Sequence, residues 1–286
     1  MTPSLVIARI TILEASRRKL LLALVILTAI VIAGTAWGFD RLWTIRQGGQ
    51  LIGPTQVRLV AAALLIVITF MFSAVLALSA SLVGSPAISA DVESGLTLSI
   101  LSRPVRRSDI VFGKWLGLGI LIVAYAVGAG GAELGVVYFV TGYMPPDPLL
   151  LIAYVGAEGL ALLSLALLLS TKLSGMTGGV IALVAYFMAW LGGIVGGIGT
   201  ALQNVALTDV GVITKLMLPT DGLWRGAVFA MEPASFRAAA RAAGPAAAAN
   251  PFSATDAPPV AYLIWVLFWV AAMLATTIWI FRRKEI

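Results

Sequence analysis

Cysteine and histidine are both absent from this chain, and charge is scarce: 11% of its 286 residues are Asp, Glu, Lys or Arg. Without cysteine the fold has no disulfide and no thiolate metal site. Without histidine it lacks the commonest metal ligand and the usual general base near neutral pH. Soft-metal binding and most hydrolase chemistry therefore lose their usual residues. A soluble domain carries charge on roughly a quarter of its positions. Here 60% of residues are hydrophobic and the mean hydropathy is +1.01, so the chain belongs in lipid. The 19 basic residues outnumber the 13 acidic ones, but they sit at the ends of apolar segments and form no solvated stripe. They read as topology signals, and nucleic acid is not an expected partner.

A bilayer core of about 30 Å requires about 20 apolar residues in a helix. Six stretches qualify, at 20–39, 59–84, 116–140, 150–171, 178–201 and 260–281, which predicts an all-α polytopic fold. With the N-terminus cytoplasmic, twelve of the 19 basic residues fall inside: Arg9, Arg17, Arg18, Lys19, Arg103, Arg106, Arg107, Lys114, Lys172, Arg282, Arg283 and Lys284. Four of the remaining seven lie in one long outer loop, which counts little in the positive-inside rule. Both termini are therefore expected in the cytoplasm. Arg17-Arg18 before the first span has some likeness to a twin-arginine signal, but the apolar run exceeds a typical signal core and fits an uncleaved span better.

Residues 40–58 and 141–149 are short outer connections, marked by Gly48-Gly49 and by Pro145, Pro146 and Pro148. The two long connections, 85–115 inside and 202–259 outside, are where function is expected to concentrate. The Ala- and Pro-rich stretch 237–259 reads as a mobile lead into the last span. No internal repeat is visible.

In the inner connection, Leu96, Ile100 and Leu101 share a short helical face, Pro104 ends that helix, and Ser108 and Asp109 cap the next. The order of residues here is similar to the signature loop of the type-2 ABC exporter permeases. The matching places are the acidic Glu93, Gly95 to Leu98, Ser102, Pro104, Val105, Arg107, the pair Ile110-Val111, and Gly113-Lys114. One departure is Gly95-Leu96-Thr97 in place of Gly-Thr-Leu. Weaker echoes are Arg9, Glu14, Arg17 and Arg18 before the first span, and Leu218-Pro219-Thr220-Asp221 with Arg225 after the fifth. The latter resembles the Asn-Pro-Thr-Asp segment of permeases that accompany periplasmic copper-site maturation, with Leu218 replacing the asparagine.

The resemblance implies a permease subunit of the bacterial or archaeal inner membrane that works with a separate cytoplasmic ATPase and a second permease copy, identical or related. Glu93, Gly95, Arg103, Pro104, Arg107 and Lys114 would couple to the ATPase, and residues 3–19 would lie at the membrane surface against it. ATP and Mg would be bound by that partner, and this chain would hold no cofactor. Gly113-Lys114 lacks the glycine spacing and Ser or Thr of a phosphate-binding loop. An extracytoplasmic partner for residues 202–259 is also compatible. The substrate stays open among lipid, peptide, antibiotic, polysaccharide precursor and a sulfur species.

Within the membrane, Gly192, Gly193, Gly196 and Gly197 form overlapping small-xxx-small pairs that suit a dimer seam, tight packing inside one subunit being the plain alternative. Glu133 and Glu158 are ionisable groups well inside spans, where such groups face protein or a water-filled cavity. Their spacing puts them roughly 10 and 12 Å below the outer ends of their spans, which predicts one shared level, with no basic residue there. Each would be protonated, hydrogen-bonded to a neighbour such as Tyr154, or wetted. The expectation is a clasp between spans three and four, and the alternative function is an ion-coupled secondary transporter using these carboxylates. Against that alternative, the inverted or parallel repeat such a transporter needs is not found.

Overall fold

The computed structural model describes residues 2–16, 19–94 and 105–283. Eleven helices occur among the described residues: α1 (Pro3–Ser16), α2 (Lys19–Asp40), α3 (Pro54–Gly84), α4 (Pro86–Glu93), α5 (Arg107–Thr141), α6 (Pro148–Ser170), α7 (Gly175–Ala201), α8 (Val205–Met217), α9 (Thr220–Met231), α10 (Ala234–Ala243) and α11 (Val260–Arg283). Of these, six are long and apolar enough to cross a membrane, matching the six expected spans. A small hairpin pairs β1 (Arg46–Gln47) with β2 (Gln50–Leu51). Its turn uses Gly48 and Gly49 at φ 60° and 85°, a conformation that favours glycine.

Local chemistry sets the helix ends. Proline opens α3 and α6 at the position where a missing N–H is harmless, and Gly142 closes α5 in the left-handed region at φ 68°. Ser174 caps α7 and Asn204 caps α8 with side-chain oxygens, satisfying first-turn donors that lipid could not.

The core is built around α6, whose Ala161, Leu162, Leu163, Ala166 and Leu167 have no exposed surface. Helices α3, α5 and α7 surround it, with α2 and α11 at the periphery. The antiparallel register of α5 against α6 follows from glycine contacts: Gly130 meets Ile152, Gly156 meets Ala126 and Gly159 meets Ile122. Outward-facing side chains are apolar, including Ile30, Trp37, Phe139 and Leu267, each more than 60% exposed. Such a belt is compatible with lipid and not with water.

The connection at 202–259 departs from the expected outer loop. It is ordered into α8, α9, α10 and a 3-10 turn (Gly244–Ala249), so the mobility expected for 237–259 gives way to a packed segment. Its alanines are small enough to seat against glycine: a side chain at Gly197 would meet the Ala248 carbonyl at 2.0 Å.

Candidate functional site

At the end of the bundle holding α1, several helices are locked into a shelf. Helix α1 crosses α5 where Gly113 and Gly117 leave no side chain. A Cβ on either would come within 2.7 Å of the Ser4 or Ala8 carbonyl. Ser4 donates to Asp109 Oδ1 at 3.0 Å, and Asp109 Oδ2 accepts the Arg106 N–H at 3.4 Å, capping α5. The buried Lys114 ammonium reaches from α5 to the Asp91 carboxylate and the Ala87 carbonyl of α4. The opening turn of α4 is satisfied from outside its own helix: Ser170 Oγ, at the end of α6, accepts from the N–H groups of Ile88 and Ser89 at 2.9 and 3.1 Å. Arg107 donates to the Phe281 and Arg282 carbonyls at 2.9 and 3.2 Å, closing the C-terminal end of α11 with a positive charge. Arg9, Glu93 and Arg106 are exposed on this shelf, beside the outward apolar face of α1 formed by Leu5, Val6, Ile10 and Leu13.

Toward the other end, α8 folds back along α7 and α9 returns, making a re-entrant hairpin. Close approach is possible because glycine faces glycine: a Cβ at Gly196 would lie 2.6 Å from Gly211 Cα. Asp221 sits over Gly193, eight residues or about 12 Å below the end of α7. At that depth the turn between α8 and α9 would leave carbonyls bare, which lipid does not tolerate. Three donors on one face of α11 satisfy them. Trp265 binds the Leu216 carbonyl at 3.3 Å, Trp269 binds that of Met217 at 2.9 Å, and Tyr262 binds that of Pro219 at 2.9 Å.

The Asp221 side chain, 1% exposed, pairs with Arg225 at 3.4 Å and Lys215 at 3.7 Å, while Arg225 also donates to the Gly193 carbonyl at 3.1 Å. Asp221 Oδ1 and the Thr220 hydroxyl are buried with no hydrogen-bond partner among the described residues. Nearby, the buried Glu232 accepts the Ala254 N–H at 3.2 Å, holding the segment after α10 in place.

The two intramembrane carboxylates lie apart. Glu158 accepts from Ser73 Oγ at 2.6 Å, and Ser73 stands 3.2 Å from the Tyr186 hydroxyl. Glu133, 2% exposed, has no hydrogen-bond partner for either oxygen among the described residues. The α5–α6 register sets Glu133 level with Leu149, so Glu158 lies about nine residues, or about 13 Å, deeper.

A family model described as an ABC-2 family transporter protein matches residues 5–286. The chain belongs to the ABC-2 family. It is 28% identical over 295 residues to the probable ABC transporter permease protein NosY of Pseudomonas aeruginosa, the match covering 98% of each chain. It is also 33% identical over 137 residues to the probable ABC transporter permease protein NosY of Stutzerimonas stutzeri, covering 48% of this chain and 46% of that one. This ABC-2 protein is thus an ABC transporter permease subunit, a multi-pass protein of the cell membrane, as its six apolar helices require.

Several expectations for the permease change once its helices are packed. Arg107 and Lys114, expected to face a partner, instead tie α5 to α11 and to α4. Gly192, Gly193, Gly196 and Gly197, expected at a dimer seam, receive Thr214, Asp221, Gly211 and Ala248 of the same chain. Pro219, Thr220, Asp221 and Arg225, expected outside, are carried inward by the re-entrant hairpin, with Thr220 and Asp221 1% and 2% exposed. The same hairpin brings basic residues toward the depth of Glu158, since Gly226, next to Arg225, packs on Tyr154. Neither the common level nor the clasp holds, because α5 overshoots the start of α6 and Glu158 takes Ser73 instead. Glu93, Arg9 and Glu14 are exposed. Gly95, Arg103, Pro104, Arg17, Arg18 and the face of Leu96, Ile100 and Leu101 lie outside the described residues. Sequence reasoning missed the donors Ser170, Tyr262, Trp265 and Trp269. The i, i+3, i+7 spacing of the last three was the available signal, but aromatics near a span end read first as an interfacial belt.

Proposed function

We propose that this permease is the membrane half of an ATP-driven exporter whose ATPase is a separate polypeptide docking on the shelf made by α1, α4 and the start of α5. One observation carries the reading. The exposed charges of the shelf, Arg9, Glu93 and Arg106, stand on helices joined to the spans by the Gly113 and Gly117 crossings and the Lys114–Asp91 ion pair. A push there moves α4, α5 and α11 together, which is what a coupling surface must do. On this reading both termini and residues 85–115 are cytoplasmic, in keeping with the basic residues on that side, and the connection 202–259 faces outward. ATP and Mg belong to the ATPase, and a second permease copy completes the path. Residues Gly192 to Gly197 are already used within the chain, so that copy meets another face.

Reconstitution with the cognate ATPase tests this. Gly113→Leu would lift α1 from α5 and should preserve membrane insertion while abolishing stimulation of the ATPase by the permease. Glu93→Lys should weaken ATPase binding through a charge clash at an exposed contact. Normal stimulation and binding in both variants would refute the shelf as the coupling surface.

A further inference from the structure

The basic residues of the connections 40–58 and 202–259 fall into two groups. In the second connection Lys215, Arg225 and Arg241 each pair with a carboxylate, and Arg237 donates to the Phe229 carbonyl. In the first, Arg41, Arg46 and Arg58 are exposed, and none of their guanidinium groups has an ion pair or hydrogen bond among the described residues. The one carboxylate between residues 40 and 58 is Asp40. Three arginines in a short connection expected outside run against the positive-inside rule, so their place in the fold matters.

Helix length sets that place. Helix α2 has 22 residues, about 33 Å at 1.5 Å each, against a hydrocarbon core of about 30 Å. Arg41, next after its last residue, therefore stands at head-group level. One turn below, Trp37 is 67% exposed on a span and so faces lipid, and the Arg41 guanidinium lies 5.5 Å from its ring centroid. A guanidinium stacked on a ring keeps its charge and its fork of N–H donors for an oxyanion. Trp43 fixes the following turn by donating to the Val140 carbonyl at 2.9 Å. Arg58 reaches the same rim from α3, its guanidinium 3.4 Å from where a Cβ on Gly142 would stand. In the hairpin, Arg46 is paired opposite Leu51. Opposite residues project to one face of a ribbon, so Arg46 and Leu51, the latter 58% exposed, give that face an apolar part for acyl chains and a charge for phosphate.

We propose that the ends of α2 and α3 and the hairpin between them form a binding surface for phospholipid of net negative head-group charge, with Arg41, Arg46 and Arg58 on the phosphates and Trp37 and Leu51 against the chains. Each arginine near an anionic bilayer surface gains an attraction that zwitterionic lipid does not supply, so the surface selects lipid by charge. An acidic soluble protein does not fit, because the ring beneath Arg41 is immersed in lipid. That the leaflet is the outer one rests on the topology proposed above, whereas the selection by charge holds in either leaflet.

The test uses the full chain in nanodiscs of phosphatidylcholine and phosphatidylglycerol, without ATPase, so that its outcome is separate from that of the coupling reading. A single cysteine replaces Ala33, an exposed position one turn below Trp37, and carries a fluorophore quenched by nitroxide-labelled lipid. Quenching is compared with the nitroxide on phosphatidylglycerol and on phosphatidylcholine at one mole fraction. The expected ratio is above about 2 in favour of phosphatidylglycerol, falling toward unity at high salt. Arg41→Gln should lower it, and Arg41→Gln, Arg46→Gln and Arg58→Gln together should abolish the preference. Should the triple variant fail to fold, the wild type and Arg41→Gln decide the matter. The same label at Leu267→Cys, at equal depth on α11, should give a ratio that the arginine variants leave unchanged. Equal quenching by the two lipids at Ala33→Cys, or a preference that the arginine variants retain, would mean that these arginines do not select lipid, and the proposal would be wrong.

Discussion

Replacing Gly193 by alanine should be among the most damaging single-methyl additions to this protein. The new carbon would lie 2.1 Å from both Cγ and Oδ1 of Asp221 and 2.3 Å from Oδ2. Ordinary contact requires more than an ångström beyond that, so the carboxylate must retreat. Its ion pairs, already 3.4 Å to Arg225 and 3.7 Å to Lys215, would then open. Overpacking costs about 1–3 kcal/mol, and leaving a buried charge without its partner costs about 3–5 kcal/mol. Arg225 and Lys215 keep some contact with solvent, which places the total near the low end, about 4 kcal/mol. For a chain of this size that corresponds to a Tm lower by about 8–16 °C. The control is Gly131→Ala, on α5, where nothing lies within 4 Å of the added carbon. There the loss of unfolded-state freedom should give a gain of about 0.4–1 kcal/mol. Both are measured by thermal unfolding in nanodiscs at one scan rate. Asp221→Ala added to Gly193→Ala should cost less than the sum of the two, because the clash is removed once. Equal midpoints for Gly193→Ala and Gly131→Ala would refute the re-entrant packing of α9 on α7.

Trp269→Phe leaves the Met217 carbonyl without its 2.9 Å donor at a depth without water. It should cost about 1–3 kcal/mol, read in the same unfolding assay. Trp265→Phe, whose bond is 3.3 Å, should cost less. Asp91→Asn strips the Lys114 ammonium of its ion-pair partner and should both lower stability and loosen α4, seen as faster proteolysis near residue 93. In this naturally cysteine-free chain, single cysteines at the exposed positions Gln50 and Glu93 should react with a membrane-impermeant maleimide from opposite sides of the membrane. Labelling of both from one side would remove the six-span topology.

The spans, the class and the family signature were legible in one dimension, because lipid imposes a length and an apolarity that a window of about 20 residues reports directly. Proline and glycine marked the ends of α3, α5 and α6 for the same local reason. Glycine-rich α7 was also visible as a close-packing face. What it packs against depended on whether the chain after Ala201 turned back into the bundle, and no local pattern in Val205 to Met217 says so. The partner choice of Arg107 and Lys114 was hidden likewise. Each reads as a surface charge until α11 and α4 arrive with unsatisfied carbonyls and a carboxylate.

Depth was the property most poorly read from sequence. Counting from helix ends put Glu133 and Glu158 together. The glycine contacts of α5 with α6 set a register that separates them and hands Glu158 to Ser73, leaving Glu133 at a small cavity. By itself, then, the sequence determined an all-α bundle of six spans carrying an ABC-2 pattern, since hydrophobic length and turn chemistry act within a few residues. Only the tertiary structure decided which polar groups meet. In a medium without water, a polar group that its own helix leaves over is best satisfied from another, and such partners lie up to 175 residues away, as Arg107 and Arg282 do.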